Sequence, residues 1–362
     1  MRLFVSRGKV FARLLTVLVA GAAVCCLLCG PAPTATAAAA GPERRCTDQV
    51  LPVRLSDPGP AAFSVWGRLC WRGARPPSAV QLLVAGGTYD HQYWDLRQAG
   101  PHYSYVDAAT AAGFATFAVD RIGSGRSSTP PSGTVTAHAE AVSLHDVVTA
   151  LRAGAVGGHR FRSVVWVGHS YGSIVGAFEI SRYHDADGFL ATGMLHAINT
   201  EHFEETADTV ELANQEPKFA GLGLDDGYTT TTPGSRAMFY APATVSPRVL
   251  AAEERAKSFQ PAVNFEEVAG LLTPASPALS ATRQIDVPVL VLNGQKDETY
   301  CGQGHADCTD SGTVLAGEAA YYQPAARLKV VVIPATGHSV GLSTTRRLTY
   351  AAMLAWSSSV VS

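Results

Sequence analysis

Apolar and polar positions fall into alternating blocks along most of the chain. Residues 49–56 and 63–72 carry β-formers with partial alternation and are split by Asp57-Pro58-Gly59-Pro60, which predicts an antiparallel opening pair of strands. Residues 79–85 form a continuous apolar run, the pattern of a strand buried on both faces. A helical stretch at 103–112, a strand at 114–119 and an amphipathic helix at 137–153 follow. The β-branched run 163–167 predicts a further buried strand, 173–183 a helix and 188–195 another apolar strand. From 199 to 285 the periodicity fails: short mixed segments, prolines and scattered aromatics replace it. The strand pattern resumes at 287–292 and again at 328–333, with helices expected over 313–322 and 344–356. Buried strands alternating with helices imply an α/β fold, a mostly parallel sheet covered on both faces.

The start of the chain reads differently. Arg2, Arg7, Lys9 and Arg13 precede an apolar run at 14–28, and small residues fill 31–40. The run is shorter than the roughly 20 residues a membrane span needs. The charged start, short apolar run and Ala-rich exit predict an export signal over 1–40, with Ala35-Thr36-Ala37 and Ala38-Ala39-Ala40 both fitting a cleavage site. The rest divides into a core segment 41–198, an insertion 199–285 and a second core segment 286–362. The composition, 47% hydrophobic and 16% charged, is that of a globular protein. A net charge of −2 gives no electrostatic ground for a nucleic-acid partner or an anionic membrane.

Four of the seven cysteines, Cys46, Cys70, Cys301 and Cys308, lie beyond the export segment. An even number in an exported chain predicts two disulfides, and proximity favours Cys46–Cys70 and Cys301–Cys308 among the three pairings. The spacings lack a CxxC knuckle, so no metal site is expected from them.

The chemistry centres on Gly168-His169-Ser170-Tyr171-Gly172, placed between a predicted strand and a predicted helix. In that context G-x-S-x-G is a nucleophile elbow: a sharp turn lifts the Ser hydroxyl from the sheet end, and the next N–H points where an oxyanion would form. Gly86-Gly87-Thr88 ends another buried strand, and a glycine pair there lets backbone N–H groups approach a ligand. Asp297 and His338 each follow a strand, and Glu298 is the neighbouring competitor for the acid. The order Ser, Asp, His separates this arrangement from other folds with the same triad. Gly123-x-Gly125 lacks the third glycine of a dinucleotide fingerprint and reads as a turn beneath the site.

These pieces together resemble the α/β-hydrolase superfamily, in particular its exported, capped, esterase- or lipase-like members. The resemblance rests on Gly86-Gly87, the segment Asp120-Arg121-Ile122-Gly123-Ser124-Gly125-Arg126-Ser127, the elbow, Gly294 to Asp297, and Gly337-His338. Where many members carry His-Gly before the oxyanion loop, this chain has Ala85-Gly86. The resemblance implies an eight-stranded sheet with a cap inserted after the sixth strand, Ser170 as nucleophile, Asp297 as acid and His338 as base. The oxyanion donors are then the Tyr171 N–H and that of Gly87, with Thr88 the alternative. No cofactor and no catalytic metal is implied. The aromatics of the insertion, Phe239 and Tyr240 among them, suit an apolar acyl or alkyl pocket, although most must pack the insertion's own core. The expected activity is hydrolysis of a small-molecule carboxylic ester through an acyl-enzyme. An acyltransferase or cyclase, an amide hydrolase of short peptides, and a non-catalytic binding module on the same fold are the competing readings.

Overall fold

The computed structural model describes residues 43–263 and 265–361. The export segment expected over 1–40 lies outside them. Strands β1 (Arg44–Val53) and β2 (Phe63–Arg72) pair antiparallel over their full length, with Cys46 opposite Cys70. β1 begins before the stretch that periodicity predicts, because its first half is largely exposed and carries no apolar signal. Backbone pairing with β2 sets its bounds instead.

Strand β3 (Ala79–Val84), helix α1 (Tyr105–Ala111), β4 (Ala115–Val119) and α2 (Ala137–Ala153) follow. Ser104 and Thr136 cap the two helices by accepting from the N–H groups of Asp107 and Ala139. Next come β5 (Ser163–His169), α3 (Tyr171–Tyr183) and β6 (Gly188–Thr192). β6 stops short of Leu195 because Gly193 turns the chain at φ 61° and donates its N–H to Leu292.

Between β6 and the next strand of the main sheet lie α4 (Thr200–Glu205), β7 (Val210–Leu212), β8 (Tyr228–Thr231), α5 (Pro247–Ala256), β9 (Gln260–Pro261) and α6 (Phe265–Leu272). The three strands form a separate antiparallel sheet. Phe219, Tyr228 and Phe259 pack with Ala213 and Leu224 into a small core of this region's own. The side chains of Phe203 and Phe265 are outside the described ones.

The chain closes with β10 (Val289–Gly294), α7 (Ser311–Glu318), β11 (Lys329–Ile333) and α8 (Arg346–Val361). The main sheet has eight strands in the order β1-β2-β4-β3-β5-β6-β10-β11, parallel from β4 onward. It is the α/β-hydrolase sheet expected from the motifs. Alternate residues of each central strand enter opposite cores, as the period of two requires. Leu82, Trp166 and Phe189 face α2 and α3, while Leu83, Val167 and Leu190 face α1 and α8. The disulfides Cys46–Cys70 and Cys301–Cys308 are both formed. Parallel strands carry the ends of β3, β5, β10 and β11 to one edge, where backbone groups left unpaired by the sheet are available to a ligand.

Candidate active site

Ser170 joins β5 to α3 with φ 51° and ψ −123°, a conformation that a residue with a side chain adopts only under strain. Crowding explains the flanking glycines. A Cβ on Gly172 would stand 2.3 Å from the Val84 carbonyl oxygen, and one on Gly168 would stand 2.6 Å from Ser173 Cα. The Ser170 N–H donates to the Thr192 carbonyl at 2.7 Å, tying the elbow to the end of β6. Tyr171 is the first residue of α3, where helix geometry leaves the N–H without an intrahelical acceptor. The Gly86 backbone lies against the serine: a Cβ there would meet Ser170 Cβ at 2.9 Å.

His338 follows β11 by way of a short turn, and Asp297 follows β10. His338 Nδ1 lies 3.0 Å and 3.1 Å from the two carboxylate oxygens of Asp297. Asp297 is 0% exposed and also accepts from Asn293 Nδ2 and the Thr299 N–H. Those donors fix the plane of the carboxylate, and the carboxylate fixes the imidazole. Glu298, the neighbouring competitor, has a side chain 74% exposed and points away. Gly193 links this pair to the elbow. It directly follows Thr192, which binds Ser170, and a Cβ on it would stand 3.0 Å from His338 Cε1. Ser170, Asp297 and His338 are therefore assembled around the ends of β5, β6, β10 and β11. A crevice of about 580 Å³ opens elsewhere, lined by Arg68, His91, Arg126, Lys218 and Phe259 among others, and the three residues take no part in it.

His169, the first of the two variable residues of the elbow motif, is fully buried and stacks on Tyr93 with ring centroids 4.3 Å apart. Burial, reinforced by His338 and Arg236 nearby, holds its pKa well below the ordinary imidazole value. It stays uncharged beside His338, at a ring-centroid distance of 5.0 Å.

The segment after β4 sits under the Gly86-Gly87 loop. Arg121 donates to the carbonyls of Ala85 and Gly86, pairs with Glu140 at 2.6 Å, and lies over the Tyr171 ring. The guanidinium thereby holds the Ala85 and Gly86 carbonyls of this loop. A Cβ on Gly87 would stand 2.9 Å from Gln260 Oε1, so Gln260 of β9 covers the loop from the insertion.

Phe239 and Tyr240 are placed differently from one another. The Phe239 ring is partly exposed and lies 6.0 Å from the His338 ring, whereas Tyr240 is buried in the main core with Val249 and Ala252.

Arg236 carries no local signal in the sequence. It is 1% exposed, and its Nη1 donates to Thr88 Oγ1 at 2.8 Å. Its guanidinium lies 4.0 Å from the Tyr89 ring centroid, and Glu253 supplies a buried countercharge at 3.7 Å. Thr88 has φ 58°, and its hydroxyl donates to the Gly87 carbonyl. Tyr89 in turn meets Ser339, next to His338, through hydroxyls 2.8 Å apart. No local pattern marks such a residue, because its partners lie far away in sequence. Arg236→Met should cost about 3 kcal/mol of stability, since Glu253 is left as an uncompensated buried charge. It should also reduce kcat for a small ester more than it raises KM, because the strained Thr88 loses its anchor. Chemical denaturation and steady-state kinetics on the same preparation measure both effects.

No curated protein matches this sequence. The family described as alpha/beta hydrolase matches residues 81–351. Among solved structures, a thermophilic esterase from Thermogutta terrifontis superposes with a TM-score of 0.53 at 20% identity, covering 87% of this chain and 100% of the esterase. A lipase in its open form gives 0.55 at 15% identity, covering 87% and 99%. Carboxylesterase CesB from Bacillus subtilis gives 0.52 at 15% identity, covering 85% and 90%. At such identities the likeness is one of fold, while the family match spans most of the chain. The chain belongs to the alpha/beta hydrolase family.

Proposed function

We propose that the protein is a serine hydrolase that cleaves a small-molecule carboxylic ester through an acyl-enzyme on Ser170. The observation that carries this reading is the buried Asp297–His338 pair beside the strained Ser170 elbow. A serine hydroxyl is a weak nucleophile until a base takes its proton. His338 Nε2 would accept that proton as Oγ attacks the ester carbonyl, then return it to the departing alcohol. A water activated by the same nitrogen would release the acid. Asp297, bonded to Nδ1–H, holds the tautomer that leaves Nε2 free and stabilises the imidazolium. The N–H groups of Tyr171 and of Gly87, with Thr88 the alternative, would bind the oxyanion, each worth about 3 kcal/mol in the transition state.

Residues 199–285 would form the cap over this edge of the sheet, with Phe239 facing the acyl or alkyl group beside His338. Two disulfides and the charged, apolar and Ala-rich character of residues 1–40 support export from the cell. Among the described residues no helix is long and apolar enough to cross a membrane.

A panel of p-nitrophenyl esters of increasing acyl length, run with and without an added acceptor alcohol, tests the reading. Release of free acid with saturation kinetics supports it. Acyl transfer to the alcohol in preference to water would replace hydrolysis by an acyltransferase. Absence of turnover across esters, amides and lactones would leave a binding module.

A further inference from the structure

On the face of the sheet covered by α2 and α3, three side chains converge that the ester chemistry does not use. His145 comes from the middle of α2, Glu179 from the last turns of α3 and Asp185 from the loop entering β6. His145 Nδ1 lies 2.7 Å from Asp185 Oδ2 and 3.8 Å from Glu179 Oε1. One donor atom from each of the three lies within 4.8 Å of the others.

Glu179 sets this cluster apart from an ordinary ion pair. Its side chain is 0% exposed, and neither carboxylate oxygen has a hydrogen-bond partner. Asp185 Oδ1 is likewise buried without one. A carboxylate removed from water without partners costs several kcal/mol, so such a group either takes up a proton or is met by another charge.

We propose that His145, Glu179 and Asp185 form a binding site for a divalent transition cation of the zinc class. A neutral imidazole with two carboxylates is a mixed N/O ligand set that suits zinc or manganese better than calcium or magnesium, which take oxygen ligands. The charges balance, two carboxylates against one dication. In a tetrahedral zinc site with bonds of 2.0–2.1 Å, ligand atoms stand roughly 3.3 Å apart, so the separations here, all within 4.8 Å, need to change by at most about 1.5 Å. A water would complete the four ligands.

The surroundings are ordered for this purpose. The His145 ring is stacked on Tyr183 with centroids 3.7 Å apart and an interplanar angle of 10°. Arg152 holds the 185–187 loop by donating to the Asp185 carbonyl and to Asp187 Oδ2, which also accepts from the Val164 N–H. Such outer contacts orient metal ligands. The site lies toward the C-terminal end of α3, whose first residue supplies the Tyr171 N–H. The cation would brace the elbow helix from its far end and would take no part in ester cleavage.

Zinc titration of EDTA-treated, dialysed protein by calorimetry, with thermal unfolding in parallel, tests the site without using activity. Wild type should bind one equivalent at micromolar or tighter affinity and unfold at a higher temperature with zinc than with EDTA. Glu179→Gln keeps the shape and removes the charge. It should weaken that equivalent by more than the roughly tenfold to hundredfold that loss of an outer contact costs. The comparison matters because the chain has 11 histidines, some of which can hold zinc at its surface. If Glu179→Gln does not fold, zinc-edge anomalous diffraction from wild-type crystals locates the ion directly. Equal binding by wild type and Glu179→Gln overturns the proposal, as does an ion placed away from these three residues. So does a Glu179→Gln protein that is stabilised while wild type ignores zinc, which would show two carboxyl groups sharing a proton.

Discussion

Ser170→Ala should abolish covalent labelling by a fluorophosphonate and lower kcat for any ester substrate by several orders of magnitude, on the order of 10⁶ if the three residues act as a unit. The activated hydroxyl attacks phosphorus as it attacks an ester carbonyl, so both readouts depend on the same atom. Stability should barely change, because Ala inherits the same backbone at φ 51° and ψ −123°. Ser170→Gly should lose activity equally but gain about 1 kcal/mol of stability, since glycine occupies positive φ without strain. That pair of variants separates a loss of chemistry from a loss of fold. His338→Ala should cost about as much as Ser170→Ala, and the double variant little more than either alone. Undiminished hydrolysis by folded Ser170→Ala protein would place the reaction elsewhere on the chain.

Asp297→Asn should lower kcat on the order of 10⁴-fold. The carboxylate accepts from three directions: His338 Nδ1, Asn293 Nδ2 and the Thr299 N–H. An amide offers one oxygen and one NH₂ in the same place, so a donor must face a donor. If the NH₂ turns to His338, Nδ1 becomes the acceptor and the proton moves to Nε2, where it blocks uptake of the Ser170 proton. If it turns toward Asn293 or Thr299, a buried polar contact is lost at a cost of about 1–3 kcal/mol. Steady-state kinetics and a denaturant titration distinguish the two, and retained kcat would show that His338 needs no fixed tautomer.

The Thr88–Arg236 contact changes the relation between the insertion and the chemistry. From its position, a region such as 199–285 would govern substrate choice and leave the reacting groups alone. Arg236 and Gln260 belong to it, yet they reach Thr88 and cover Gly87. Substitutions at Phe239, which stands beside the His338 ring, remain the test of acyl-chain preference. Substitutions at Arg236 test catalysis itself.

The strand and helix pattern, the elbow and both disulfide pairings were legible in the sequence because each depends on neighbours along the chain. Buried parallel strands announce themselves as apolar runs, and G-x-S-x-G between a strand and a helix encodes its own strained turn. Pairing of Cys46 with Cys70 follows from a hairpin whose two strands are adjacent in sequence. The bounds of elements were less legible where tertiary contacts set them. β1 is extended by pairing with β2 through residues that are mostly exposed, and β6 is cut short by the turn at Gly193.

Partnership across long separations was beyond local reading. Asp297 and Glu298 are adjacent and chemically alike, and only the path of the loop after β10 turns one of them onto His338. Arg121 on the Gly86 carbonyl, Arg236 on the Thr88 hydroxyl, and the meeting of His145 with Glu179 and Asp185 join residues from separate elements. By itself the sequence determined the fold and the residue types available at the sheet's edge, since hydrophobic periodicity and turn chemistry act over a few residues. Tertiary structure alone decided which polar groups face each other, because a buried charge or hydrogen bond is settled by whatever distant segment the packing brings within about 3 Å.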